Sequence, residues 1–177
     1  MRGIRVGRVA GIPIQLNWTF LLVLPLFAYL IGSQVGEFAG IVGDTFGVAI
    51  PAAALTGGSL PWVLGTAAAL GLFVSVLLHE FGHSLTAMHY GYKIEAITLW
   101  LFGGVASFEE MPEDWKQEFT VAIMGPAVSV ALGVIAYAVL VTVTLPPTAA
   151  FVVGYLALMN LVLAAFNLLP GFPMDGG

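Results

Sequence analysis

The sequence predicts an all-α polytopic membrane protein, with about four transmembrane helices and a small membrane-associated β-hairpin between the second and third. Three observations predict it. Apolar residues fill 59% of the 177 positions and charged residues 8%, against about 45–50% and about 25% in soluble domains. The few charges leave long gaps, with none in Val9–Gly36, Thr45–Leu78 or Phe119–Met174. The last gap exceeds two bilayer spans of about 20 residues each. It is broken at Leu145-Pro146-Pro147-Thr148, where paired prolines cannot continue a helix.

Composition also excludes. Five Lys and Arg residues against ten Asp and Glu leave no basic face for phosphates, so no nucleic-acid partner is expected. There is no cysteine, hence no disulfide and no thiolate metal site. Any metal must be held by His, Asp or Glu.

Taken in order, Arg2, Arg5 and Arg8 precede a first span at about 17–36. Its apolar run is longer than the roughly 7–15 residues of a signal peptide and has no clear small-x-small cleavage site. A retained helix is therefore expected. Residues 32–59 form a Gly/Ala-rich external loop with room for short helical pieces. The second span, about 61–90, is over-long for a bilayer. Pro61 suits its first turn and Gly91 its C-terminal end, and its polar last third reaches the membrane surface. Lys93 to Thr98 alternates like a strand, and an apolar run leads to Gly103-Gly104, so Tyr92–Phe108 reads as the hairpin. Glu109 to Lys116 is an acidic solvated loop, with Asp114 capping the third helix and Gln117 completing a capping box. The third and fourth spans fall at about 117–144 and 148–169. Four spans place all five basic residues on one side. By the positive-inside rule that side is the cytoplasm, so a multi-pass protein of the cell membrane is expected, with its N-terminus inside.

One motif carries chemistry. His79-Glu80-Phe81-Gly82-His83 is an H-E-x-x-H sequence. On a helix, positions i and i+4 share a face, so both imidazoles can reach one metal ion. The glutamate between them can accept a proton from a water on that ion. The bland reading is a polar cluster that packs two helices together, but ionisable groups inside an apolar span are costly and mark function by default. His79 lies about 27 Å along the helix from Pro61, near the inner boundary of a roughly 30 Å hydrocarbon core. A catalytic zinc takes three protein ligands and one open position. His89 lies on another helical face and reads as an interfacial histidine. Asp175 closes the last charge-free stretch and, by topology, returns to the side of the histidines. It is the favoured third ligand.

These residues resemble the site-2 protease family of intramembrane zinc metalloproteases. The likeness rests on H-E-F-G-H at 79–83, on Asn167-Leu168-Leu169-Pro170-Gly171-Phe172-Pro173-Met174-Asp175-Gly176-Gly177, on Phe102-Gly103-Gly104, and on the G-I-P-I-Q-L-N run at 11–17. It covers nearly the whole chain and is nearest to the prokaryotic and archaeal branch of sporulation-factor proteases. It implies one Zn2+ per chain, held by His79, His83 and Asp175, with Glu80 as catalytic base. Asn167 would be a hydrogen-bond donor near the site, and Gly103 and Gly104 candidate supports for substrate or transition state. The implied activity is hydrolysis of peptide bonds within or beside transmembrane segments. The hairpin would offer an edge to an extended substrate, or equally would only plug the cavity. Expected partners are a transmembrane protein substrate and the lipid bilayer, with self-association left open. Relatives of this branch carry further membrane helices and often a regulatory nucleotide-binding CBS pair. Residues 1–177 are accordingly expected to be a single protease core without them. The rival reading is a transporter or ion pathway using the same His, Glu and Asp side chains.

Overall fold

The computed structural model describes residues 4–100, 103–108 and 114–169. Strands β1 (Ile4–Val9) and β2 (Ile12–Leu16) form a hairpin, followed by helices α1 (Phe20–Ser33) and α2 (Val35–Phe46) and a short 3-10 turn at Ala52–Ala54. Helix α3 (Leu60–His89) leads into strands β3 (Ile94–Trp100) and β4 (Gly103–Phe108). Helices α4 (Trp115–Thr142) and α5 (Pro147–Asn167) complete the described chain.

Local chemistry explains the long helices. Pro61 sits in the first turn of α3, where a missing N–H costs nothing. Beyond its end Gly91 adopts φ +91, and the amide of Tyr92 turns back to the carbonyl of Ala87 at 3.1 Å. Helix α4 starts where the Asp114 carboxylate accepts the amide of Lys116 at 2.9 Å, as expected of an N-cap. Gln117 does not complete a capping box. Its side-chain oxygen instead accepts the Tyr92 hydroxyl at 2.8 Å, tying the base of the β3–β4 hairpin to α4. The Pro146-Pro147 pair ends the connection, and α5 begins at Pro147.

Among the described residues, three helices are long and apolar enough to cross a membrane: α3, α4 and α5. The first expected span is different. Helix α1 has 14 residues, about 21 Å at 1.5 Å per residue, short of a roughly 30 Å core. It then bends by 74° into α2. The break falls at Gln34, whose φ of −117° and ψ of 23° leave the helical region. Helix α2 is held in its new direction by α5: Phe38 meets Tyr155 edge-on at 5.4 Å, and Val42 lies where Gly154 has no side chain. Ile31, Val35, Val42, Leu64, Phe151 and Tyr155 bury one another in the core at this end.

The sheet is also larger than the single hairpin expected from sequence. It has four strands in the order β1-β2-β3-β4. β1–β2 and β3–β4 are antiparallel, while β2 runs parallel to β3, pairing Ile14 with Ile97 and Leu16 with Leu99. Ala10 and Gly11 take φ +50 and +82, the left-handed pair of a two-residue hairpin turn. The inner sheet face packs Ile12, Ile14 and Ile97 on Phe81 of α3. Leu99 joins Phe20, Phe73 and Val76. The sheet therefore braces the last turns of α3.

Helices α1 and α3 cross at two glycines. A Cβ on Gly65 would strike the Ala28 carbonyl and come within 2.7 Å of the Gly32 amide nitrogen. Backbone atoms cannot swing aside as a side chain can. Gly65→Ala is therefore expected to lower unfolding free energy by about 1–3 kcal/mol through overpacking. Gly40 of α2 has nothing within 4 Å of its Cβ direction, so Gly40→Ala should be neutral or stabilising by up to about 1 kcal/mol. Thermal unfolding of both variants in detergent measures the contrast.

Candidate active site

Helix α3 delivers three of the expected residues within one turn. His79 and His83 are buried, at 2% and 6% exposure, and Glu80 between them is half-buried. The two rings meet edge-on at 4.9 Å, with their Nε2 atoms 3.2 Å apart. Helical spacing places the rings on one face, but it does not aim them. The aim comes from α4.

On α4, the positions facing α3 recur every four residues: Val121, Gly125 and Ser129 are all buried. The Nδ1 of His83 donates to the Val121 carbonyl at 2.8 Å. The Nδ1 of His79 lies 2.8 Å from the Ser129 hydroxyl oxygen. Gly125 lies between them, and a Cβ there would land on the His83 ring. Gly82 does the same service from the α3 side, since a Cβ would come within 2.6 Å of the Met124 carbonyl. Both imidazoles are thus held through Nδ1, leaving both Nε2 atoms facing each other. Leaving either buried Nδ1 without a partner would cost about 1–3 kcal/mol.

Gly104 of β4 closes the site from the sheet. A Cβ there would collide with the Glu80 side chain, lying 3.1 Å from Oε1. Strand β4 can therefore approach the glutamate only because position 104 carries no side chain. β4 is an edge strand of the sheet, so the edge considered for substrate lies beside Glu80. Gly103 begins the same strand, paired with Trp100.

Asn167 ends α5 in a buried position, with one amide N–H donated to the Leu163 carbonyl at 2.9 Å. Asp175 lies outside the described residues. Among the described residues no group of three or more His, Cys, Asp or Glu side chains gathers to hold a metal. His89 is exposed, its ring 5.7 Å from that of Tyr90. Sequence reasoning missed Val121, Gly125 and Ser129. Their four-residue repeat was visible, but without the knowledge that α4 packs on α3 it reads as one more small-residue stripe.

The likeness of the whole chain to known proteins agrees with this geometry. A structure entitled Site-2 Protease from Methanocaldococcus jannaschii superposes with a TM-score of 0.66 at 36% identity, covering 99% of this chain and 68% of that one. The chain belongs to the site-2 protease family. The model of peptidase family M50 matches residues 67–151, which include both histidines, Glu80, the sheet hairpin and the α4 repeat. A Synechocystis protein named as a candidate zinc metalloprotease is 41% identical over 174 residues. A Methanocaldococcus jannaschii protein named a zinc metalloprotease is 36% identical over 174 residues. Each alignment takes in 98% of this chain but only 42% and 43% of those relatives. The chain thus spans about two fifths of their length.

Gly125 gives the site a specific sensitivity. Gly125→Ala is expected to push the His83 ring away from His79 at an overpacking cost of about 1–3 kcal/mol. Thermal unfolding should record that cost. The ring 15N resonances of His83 should shift while those of exposed His89 stay in place.

Proposed function

We propose that this chain is the core of an intramembrane zinc metalloprotease, hydrolysing peptide bonds within or beside transmembrane segments of protein substrates. One observation carries the reading: two buried histidines one helical turn apart, each engaged through Nδ1, with their Nε2 atoms 3.2 Å apart. Two imidazoles bound through Zn–N bonds of about 2.0–2.1 Å on a tetrahedral ion need a separation of this size. The donor set also fits the metal, since neutral imidazoles suit zinc and no thiolate is available. Asp175, eight residues after Asn167 in the sequence, is proposed as the third ligand. Family membership favours this hydrolase over a transporter or ion pathway built from the same side chains.

Zinc supplies Lewis acidity, making a water acidic near neutral pH and polarising the scissile carbonyl. The remaining work falls to the protein. His79 and His83 are held in place by their α4 partners. Glu80 accepts the proton of the attacking water as its oxygen bonds to the carbonyl carbon. The same carboxyl then gives that proton to the amide nitrogen as the C–N bond breaks, leaving a carboxylate and an amine. Gly104 lets β4 lie against Glu80, so a peptide extended along the β4 edge would pass its carbonyls close to the base. Asn167, buried at the end of α5, is proposed to support an oxygen of the substrate.

The membrane setting is part of the proposal. The α3, α4 and α5 helices would cross the bilayer, with the bent α1–α2 pair beside them. Arg5 and Arg8 lie in β1, Lys93 precedes β3, and Lys116 is in the first turn of α4. All are at the sheet end, whereas Glu37 and Asp44 lie on α2, at the far end. This supports a cytoplasmic sheet and active site. His79 and His83 are the 20th and 24th of the 30 residues of a helix about 45 Å long, and the proposed hydrolysis requires water to enter from that side.

Two outcomes test the reading. Glu80→Gln should keep zinc and lose at least about 100-fold in cleavage rate of a membrane substrate. Cleavage at the wild-type rate would remove Glu80 from the mechanism. Asp175→Ala should lower zinc content measured by atomic absorption. Equal content in variant and wild type would show that another group closes the site.

A further inference from the structure

Strand β1 is the outer edge of the sheet, beyond β2, and its two faces differ in chemistry. Directly paired residues of antiparallel strands point to the same face. Ile4 pairs with Leu16, Gly7 with Ile14 and Val9 with Ile12, while Arg5 pairs with Gln15 and Arg8 with Pro13. The register shifts once, between Arg5 and Gly7, where Val6 is the extra residue of a bulge. Ile12 and Ile14 pack on Phe81, so Ile4, Gly7 and Val9 share the face turned toward α3. Arg5 and Arg8 take the outer face with Gln15, which lines a cavity there with Glu95, Thr98 and Ser107.

Helix α3 does not cover β1. A Cβ on Gly7 would meet nothing within 4 Å, and Ile4 and Val9 are 62% and 52% exposed. Both arginines are exposed as well. The overhanging apolar row is continuous with the exposed side of α1. Only residues 17–19 separate β2 from α1, and past Leu16, the partner of Ile4, the chain exposes Trp18, Leu21, Leu22 and Leu26 in turn. In a bilayer that side of α1 faces lipid. The hairpin is thereby tethered at the level where α1 leaves the membrane, with Trp18 in the place of an interfacial aromatic. An amphipathic element at that level rests its apolar side chains in the acyl boundary and its cations among headgroups. Two permanent positive charges on its outer face complement anionic headgroups.

We propose that the β1–β2 hairpin is a lipid-binding element, with Ile4 and Val9 in the acyl boundary and Arg5 and Arg8 on the phosphates of anionic phospholipids. The inference rests on the membrane setting proposed above and is independent of the zinc chemistry. The hairpin carries Ile12 and Ile14 onto Phe81, so headgroups that hold β1 also hold the sheet against the helix of the histidines. Two basic residues at an anionic surface shift an opening equilibrium by about 30-fold.

The full chain in nanodiscs, of phosphatidylcholine alone or mixed with phosphatidylglycerol, tests this. Hydrogen exchange over residues 4–16 should be about 30-fold slower in the anionic discs. Salt at about 1 M, where the Debye length is about 3 Å, should erase the difference. The double variant Arg5→Gln/Arg8→Gln should exchange alike in both lipids, and Arg5→Lys/Arg8→Lys should keep the difference. Depth has its own readout. The chain has no cysteine, so a fluorophore on Val9→Cys or on Glu95→Cys is the sole label. Brominated acyl chains should quench the first and leave the second bright. Equal exchange in the two lipids, a difference that survives in the glutamine variant, or a Val9 label that bromolipid does not quench would overturn the proposal alone. Energy transfer between Val9 labels on two chains, without quenching, would assign the face to a second copy instead. A chain that fails to enter nanodiscs would overturn the membrane setting and this inference with it.

Discussion

The contact between α3 and α4 is the constraint on which the site depends. Two histidines on adjacent turns of α3 would otherwise have rotamer freedom, and H-E-x-x-H alone says only that they share a face. Val121 and Ser129 on α4 engage the two Nδ1 atoms. That contact is possible only because the helices approach closely at Gly82 and Gly125, where any side chain would meet a backbone carbonyl or an imidazole. Pro126 follows at once in α4. Its ring nitrogen cannot donate, so the carbonyl of Ala122 loses its helical partner. The neighbouring carbonyl of Val121 is the one that takes His83. Ridges of small residues spaced by four are an ordinary way to bring helices together. Here the same ridge also aims the imidazoles.

The rest of the fold serves to hold that pair of helices. The sheet packs Ile12, Ile14 and Ile97 on Phe81, inside the motif itself. Ser75, one turn before His79, accepts the Asn160 amide of α5 at 3.0 Å. Helix α3 is therefore gripped on three sides near its histidines, by α4, α5 and the sheet. Glu80 faces the remaining approach, beside the β4 edge.

Much of this was legible in the sequence. The bounds of α3, α4 and α5 fall within about two residues of those read from charge gaps and prolines, and Asp114 and Gly91 end their helices as their chemistry requires. Two features were not legible. The residues Ile12-Pro13-Ile14-Gln15-Leu16 alternate, but they lie in a charge-free run continuous with α1, so hydropathy merged strand and helix. Their partner β3 lies about eighty residues away, and no local signal announces a parallel pairing across that distance. The bend at Gln34 is equally silent, because α2 is turned by packing on Tyr155 and Gly154 rather than by a proline or glycine at the break. In the site, the histidine spacing put the two imidazoles on one face, but the partners of Nδ1 are set by tertiary contact. One of them is a backbone carbonyl with no side-chain signature at all.

The neutrality of those partners has a physical reason. Ligand histidines commonly donate to carboxylates as well as to carbonyls. Between packed apolar helices, an extra carboxylate would be expensive to bury. On the proposed ligand set, Zn2+ contributes two positive charges, and Asp175 and Glu80 one negative charge each, so the site is electrically balanced. A carboxylate in place of either Ser129 or the Val121 carbonyl would leave one buried negative charge in excess. A hydroxyl and a carbonyl orient the rings without disturbing that balance. On that proposal the scarcity of charge extends to the partners of the two histidines: the only carboxylates the site calls for are the two with a proposed chemical task.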